Sequence, residues 1–228
     1  IDNPDSGLGC YAVKPDDYDK YGVFFNKVIG DYHKNDAAYD ASKDENKHKT
    51  DWNLEEVPDA SQEMSMRVRV GRNLKAFPLP GGMSAEDRVN FEKKMNESFE
   101  EVKKVFGGTV YSLTPKSDAY DSPNLIDEAK YNELVSAHVM FKNMDSDLYL
   151  KSAGIASDWP QGRGCWQSED KSKIIWFGEE DQLRIMCMKK SKNIGEIFKG
   201  LKELLECVEK VDGVDFARKL TETNPFKG

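Results

Sequence analysis

Apolar and polar positions along the chain fall into a succession of helical and extended segments. Residues 15–33 carry Tyr18, Tyr21, Phe24, Phe25, Val28, Ile29 and Tyr32 at helical spacing, and Pro15 suits a first turn, so one amphipathic helix is predicted. Residues 34–62 change to Asn, Asp, Lys, Ser and Glu, with few apolar side chains beyond Trp52, Leu54 and Val57. A solvated linker and a domain boundary are expected there. Alternation in residues 64–70 predicts a strand that presents Arg67 and Arg69 on one face. Residues 84–106 open on the capping pattern of Ser84 and Asp87 and continue as a helix built on Val89, Phe91, Met95, Phe99, Val102 and Phe106. A short strand is expected at 109–113, a helix within 124–137 and a further short element at 148–154, before a turn at 159–164.

Two apolar runs then follow, Ile174-Ile175-Trp176-Phe177 and Ile185-Met186-Cys187-Met188, joined by Gly178-Glu179-Glu180-Asp181-Gln182-Leu183-Arg184. That spacing predicts a β-hairpin with carboxylates clustered at its turn and Arg184 returning along the second strand. Residues 193–211 close the pattern as a strongly periodic helix, with Ile194, Ile197, Phe198, Leu201, Leu204, Leu205 and Val208 on one stripe. Strands interrupted by helices, including one antiparallel hairpin, indicate an α+β domain behind a small helical one.

Composition narrows the function classes. The 228 residues suffice for a real core in one domain or two. A formal charge of −8 argues against non-specific nucleic-acid or anionic-membrane binding, while leaving room for a local basic cleft. No run approaches the roughly 20 apolar residues of a membrane span. Ile1-Asp2-Asn3-Pro4-Asp5-Ser6 lacks the character of a signal peptide, so a cytoplasmic protein is expected. Cys10, Cys165, Cys187 and Cys207 form no C-x-x-C pair and are read as reduced thiols. His33, His48 and His138 are scattered, which argues against a metal cluster, and His138 is expected in the core. The first residue is not Met and the last residues close no element, so a fragment is expected.

The chain has neither a G-x-x-x-x-G-K-[ST] nor a G-x-G-x-x-G loop for phosphate. Converging arginines would replace one, because a guanidinium keeps its charge and matches phosphate oxygens with a planar fork. Arg67, Arg69 and Arg184 are the candidates, against the alternative that alternating Arg and Val mark a wet strand face. Of Glu179 and Glu180, strand geometry lets only one face a pocket, where it could hold a guanidinium and accept its proton. An ordinary acidic turn is the alternative. Glycines in Asp5-Ser6-Gly7-Leu8-Gly9 could bring backbone N–H groups to a carboxylate, or could simply form a flexible turn.

Several motifs in fixed order resemble the phosphagen kinases, the ATP:guanidino phosphotransferases that include arginine and creatine kinase. They are Asn3-Pro4-Asp5-Ser6-Gly7-Leu8-Gly9-Cys10-Tyr11, Ser65-Met66-Arg67-Val68-Arg69-Val70-Gly71-Arg72 with Phe77-Pro78, Trp159-Pro160 with Gly162-Arg163-Gly164, and Glu179-Glu180-Asp181-Gln182-Leu183-Arg184. The resemblance implies a mostly antiparallel sheet flanked by helices, the phosphagen kinase/glutamine synthetase-like catalytic domain. Residues 1–35 would be a remnant of the small helical specificity domain, 36–62 the linker and 63–228 part of the catalytic domain.

It further implies transfer of the γ-phosphate from magnesium ATP to a guanidino nitrogen of arginine, in an ATP-buffering role. Arg67, Arg69 and Arg184 would hold the phosphates, with Gln167 and Trp176 completing the nucleotide site. Glu180 would orient the guanidinium and act as base, while Ser6, Gly7, Leu8, Gly9 and Tyr11 would hold the amino-acid end. Gln167 stands where the family has a histidine, Gly178 where it has the asparagine opening the signature, Gln182 where it has a second histidine, and Thr221 where it has the reactive cysteine. The family's chain also continues past this point with two further phosphate-binding arginines and a mobile loop, so the complete protein is expected to be the phosphotransferase and the 228-residue chain to be inactive alone. The alternative reading is a non-catalytic homologue serving as a structural or binding subunit of a larger assembly. A bacterial protein arginine kinase is argued against by the segment at residues 5–11 and the helix after it.

Overall fold

Period-two alternation in Met64–Arg72 builds strand β1, which leaves Arg67 and Arg69 exposed while Val68 and Val70 pack on the core. The computed structural model describes residues 9–33 and 57–217. The other strands are β2 (Thr109–Ser112), β3 (Gly164–Gln167), β4 (Lys173–Phe177) and β5 (Leu183–Ser191). Among the described residues they form one five-stranded sheet, antiparallel throughout, in the order β1-β5-β4-β3-β2. Its helices are α1 (Asp17–Lys20), α2 (Gly22–His33), α3 (Ala85–Phe106), α4 (Glu128–Ser136), α5 (Leu148–Ser152) and α6 (Ile194–Val208).

One face of the sheet is sealed by α3 and α6. Val110, Trp166, Ile175, Phe177, Leu183, Ile185 and Cys187 meet Phe91, Met95, Phe99 and Val102 of α3 and Ile197, Leu201, Leu204 and Val208 of α6. The other face carries Cys165, Ile174, Trp176 and Met186, covered by Leu134 of α4, Val139, Met140, Phe141 and Met144 after it, and Ile155. This second layer stops short of the β5–β1 edge, where the arginines stand.

Local chemistry sets the helix ends. Ser84 and Asp87 form the predicted capping box at α3, and Asn193 caps α6 by accepting from the Glu196 amide. The helix predicted over 15–33 is broken at Tyr21, whose φ of −111° and ψ of 30° leave the helical region between α1 and α2. The helix within 124–137 starts only at Glu128, because residues 124–126 pair with Ser112 instead: the Ser112 amide donates to the Asn124 carbonyl and the Ile126 amide to that of Ser112.

Strand β3 was not anticipated; four residues, Gly-Cys-Trp-Gln, are too few for a period to emerge. His138, expected in the core, is exposed and holds a left-handed backbone with φ of 57° at the end of α4. Most of the expected linker lies outside the described residues; at its end the Ala60 amide donates to the Lys192 carbonyl and Asn193 Nδ2 to Asp59 Oδ1.

Candidate active site

Strand register assembles the arginine cluster. Arg184 on β5 stands opposite Trp176 on one side and Gly71 on the other, Met186 opposite Arg69, and Met188 opposite Arg67. Odd positions of β1 and even positions of β5 therefore share a face, and the three arginines lie along its edge. The Arg184 guanidinium is 5.4 Å from the Trp176 ring centroid, and the Trp176 indole N–H donates to the Val139 carbonyl at 2.6 Å.

The carboxylate turn sits directly above. Gly178 has φ of +74°, and a Cβ there would lie 2.3 Å from the Gly162 carbonyl oxygen, so the chain can reverse here only with glycine or a substantial shift. Arg184 Nη2 lies 2.8 Å from Glu179 Oε2 and 3.6 Å from Glu180 Oε2. Both carboxylates thus turn toward the same guanidinium, although only Glu179 lines the cavity beside it. Residues 178–182 form a bend rather than pleated strand, so alternation does not apply to them. Glu179 Oε2 is buried and, although close to Arg184, lacks the alignment of a hydrogen bond. The Tyr11 hydroxyl donates to Glu180 Oε1 at 2.8 Å, which ties the N-terminal segment to the turn.

The electrostatics follow from burial. Burial raises the Glu179 carboxyl above its ordinary value against the pull of Arg184, and raises Asp181 likewise. Tyr11 is pushed up to about 12, first by burial and then by its bond to Glu180.

A cavity of about 960 Å³ opens between this sheet face and residues 134–147. Arg67, Gln167, Trp176, Glu179 and Arg184 line it, and His138 stands among its wall residues. Arg69, Glu180 and Tyr11 are not part of its lining. Gly9 is exposed, with open space around the position of a Cβ. Ser6, Gly7, Leu8 and Thr221 lie outside the described residues. Among those described, no group of three or more His, Cys, Asp or Glu side chains is placed to hold a metal.

Two supporting residues escaped sequence reasoning. Gln182 is buried at 1% exposure and stitches the turn to the segment after β1: its Oε1 accepts from the Leu74 amide at 2.7 Å and its Nε2 donates to the Pro78 carbonyl at 2.7 Å. Arg163 is fully buried and donates from Nε to the Gly178 carbonyl, and from its other nitrogens to the carbonyls of Gln161, Ile155 and Ser157. Neither role is visible in spacing, although both residues lie in the motifs that carry the family resemblance.

Residues 90–221 match the model of the ATP:guanido phosphotransferase C-terminal catalytic domain. The chain belongs to that family. An arginine kinase of Anthopleura japonica is 34% identical over 204 residues, covering 87% of this chain and 26% of that protein. The arginine kinase Oct f 2 of Amphioctopus fangsiao is 34% identical, covering 95% and 58%, and the M-type creatine kinase of Torpedo marmorata 35%, covering 90% and 53%. The chain thus spans about half the length of the latter two relatives, and less of the first. Among solved structures, a duplicated taurocyamine kinase of Schistosoma mansoni with bound transition-state-analogue components superposes with a TM-score of 0.72 at 27% identity, over 95% of this chain and 29% of that one. A lombricine kinase shares the fold, with a TM-score of 0.65 at 23% identity, over 92% and 55%. These relatives are named for four different guanidino compounds, so family membership leaves the acceptor open.

Proposed function

We propose that the protein moves the γ-phosphoryl group of ATP reversibly to a guanidino nitrogen, with arginine as the acceptor. The observation that carries this reading is the convergence of Arg184 with Glu179 and Glu180 beside the Arg67–Arg69 row. Phosphoryl transfer asks chiefly for alignment and charge neutralisation, and an arginine row beside a carboxylate turn supplies both.

Arg67, Arg69 and Arg184 hold the phosphates in this mechanism, while Gln167 and Trp176 line the nucleotide cavity. Phosphate oxygens compete with Glu179 and Glu180 for Arg184, so nucleotide binding releases the carboxylates. Glu180 then aligns the acceptor guanidinium through paired hydrogen bonds. As the guanidino nitrogen bonds to the γ-phosphorus, the bond to the ADP oxygen breaks, and Glu180 takes the proton lost by the nitrogen. Tyr11 fixes Glu180 through its hydroxyl, and Ser6, Gly7, Leu8 and Gly9 are assigned to the amino-acid end of the acceptor by the family resemblance alone. The family implies magnesium, which supplies charge neutralisation on the phosphates; Glu179, with a buried oxygen lacking a hydrogen bond, fits a water of its hydration shell.

The division into residues 1–35, 36–62 and 63–228, and a cytoplasmic location, belong to the same proposal; no helix among the described residues is long and apolar enough to cross a membrane. Gln167 in place of the family's histidine favours a second reading, a homologue that keeps the fold as a structural or binding subunit. Magnesium- and ATP-dependent phosphorylation of arginine, measured for the full-length protein and for its Glu180→Gln variant, separates the two. Turnover lost in the variant supports the kinase, and none in the folded wild type supports the second reading.

A further inference from the structure

Outside the site, the most unusual group is the carboxylate of Glu92 in α3, which is fully buried. Among the described residues its partners are all hydroxyls: Ser112 at 2.6 Å, Ser122 at 2.8 Å and Tyr120 at 3.2 Å donate to Oε1, and Thr114 donates to Oε2. Burying a carboxylate without a cation is expensive, so stability alone does not explain it.

Three of these hydroxyls also accept an N–H, Tyr120 and Thr114 from another segment and Ser112 from two residues further along its own. Ser112 Oγ accepts from the Thr114 amide at 3.1 Å, Tyr120 Oη from Asn96 Nδ2 at 2.9 Å, and Thr114 Oγ1 from the Gly162 amide at 2.8 Å. Among the described residues no N–H donates to Ser122 Oγ, which itself donates to Glu92. A hydroxyl that accepts an N–H has its own proton free to point elsewhere, and an acceptor-only carboxylate orients all three at once. Glutamine would present two donors to these hydroxyls, and at least one would lose its orientation.

The Thr114 link leads to the active site. Thr114 holds the Gly162 amide, and the neighbouring Leu113 amide donates to the Arg163 carbonyl at 2.8 Å. Gly178 rests on the Gly162 carbonyl, and Arg163 Nε donates to the Gly178 carbonyl at 3.1 Å. Glu179 and Glu180 follow directly. We infer that Glu92 is a positioning residue for the carboxylate turn, acting through the Thr114 hydroxyl and the Gly162–Arg163 backbone. The inference rests on the phosphotransferase reading for its kinetic consequence, but not for its structural one.

The test compares Glu92→Gln and Thr114→Val with Ser122→Ala in the full chain. Each of the latter two removes one hydroxyl from the same carboxylate, and only Thr114 passes the constraint on. Glu92→Gln and Thr114→Val are expected to lower kcat about tenfold or more and to raise KM for arginine, with KM for ATP changed less than about twofold, because the turn moves and the β1 arginines do not. Hydrogen exchange at Gly162 and residues 179–182 should quicken in both, and Ser122→Ala should leave rates and exchange near wild type. Equal effects of Thr114→Val and Ser122→Ala, or a parallel rise in the KM for ATP, would overturn the inference. If the full-length wild-type protein phosphorylates no arginine, the kinase reading fails and exchange decides: quickening local to the turn in Thr114→Val but not in Ser122→Ala upholds the positioning role, and uniform or absent quickening refutes it. Should Glu92→Gln not fold, the contrast between the other two variants carries the decision.

Discussion

The two faces of the sheet are built from the same strands and serve opposite ends. On one, every second residue of β4 and β5 meets α3 and α6 in a sealed apolar layer. On the other, the apolar layer runs from β2 to Met186 and Met188 of β5 and gives way at Arg184 and at β1 to arginines beside a cavity. A sealed face fixes backbone positions to within packing tolerances, and the uncovered edge of the other face inherits that precision for side chains that must stay accessible. Rigidity and reactivity are thus divided between the two sides of single strands.

The largest effect expected from breaking this division is at the carboxylate turn. Glu180→Gln should reduce phosphotransfer by about 10²- to 10⁴-fold, the usual worth of a general base, with the thermal melt unchanged; steady-state kinetics on the folded variant check it. The sealed face should respond in the opposite sense. Phe99, fully buried against Phe177 at a centroid distance of 5.6 Å, should cost about 3–5 kcal/mol of stability when replaced by alanine. Denaturant unfolding measures that loss, and the folded fraction should keep its KM for ATP.

Arg69→Ala sharpens the comparison further. Arg69 is exposed on β1, so stability should change by less than about 0.5 kcal/mol. ATP binding, followed by calorimetry, should weaken about tenfold to a hundredfold through one lost charge-assisted contact. A large stability loss without weakened binding would place Arg69 with the sealed face.

The smallest effect concerns pH. Burial raises the folded-state value of Glu179, so the folded protein binds its proton more tightly than the unfolded chain does. The resulting stability is fully present below the ordinary carboxylate value and is lost as pH rises through the raised one. Relative to wild type, Glu179→Gln should therefore gain melting temperature as pH rises from below the ordinary carboxylate range through the raised value, as measured by paired melts across that range. A difference that stays flat would mean that Arg184 offsets the burial of Glu179 completely.

Much of this organisation was legible along the chain. The arginine row followed from alternation in β1, the hairpin from two apolar runs around a polar turn, and the α3 cap from Ser84 and Asp87, because each depends on neighbours a few residues apart. Strand β3 was too short to show a period, and the position of His138 depended on a left-handed residue that no pattern announces. The shared approach of Glu179 and Glu180 to Arg184 was not legible either, because residues 178–182 form a bend to which strand alternation does not apply.

Sequence alone settled which residues are available, which face of each strand they occupy and, through the order of its motifs, the family. Those properties arise from backbone periods of two and 3.6 residues, which act locally. Only the tertiary structure decided that two adjacent carboxylates share Arg184, that Gln182 fastens the turn to Leu74 across 108 residues, and that four hydroxyls surround Glu92. These contacts are set by how the turn, helices and loops pack on the five-stranded sheet, and no local period encodes them.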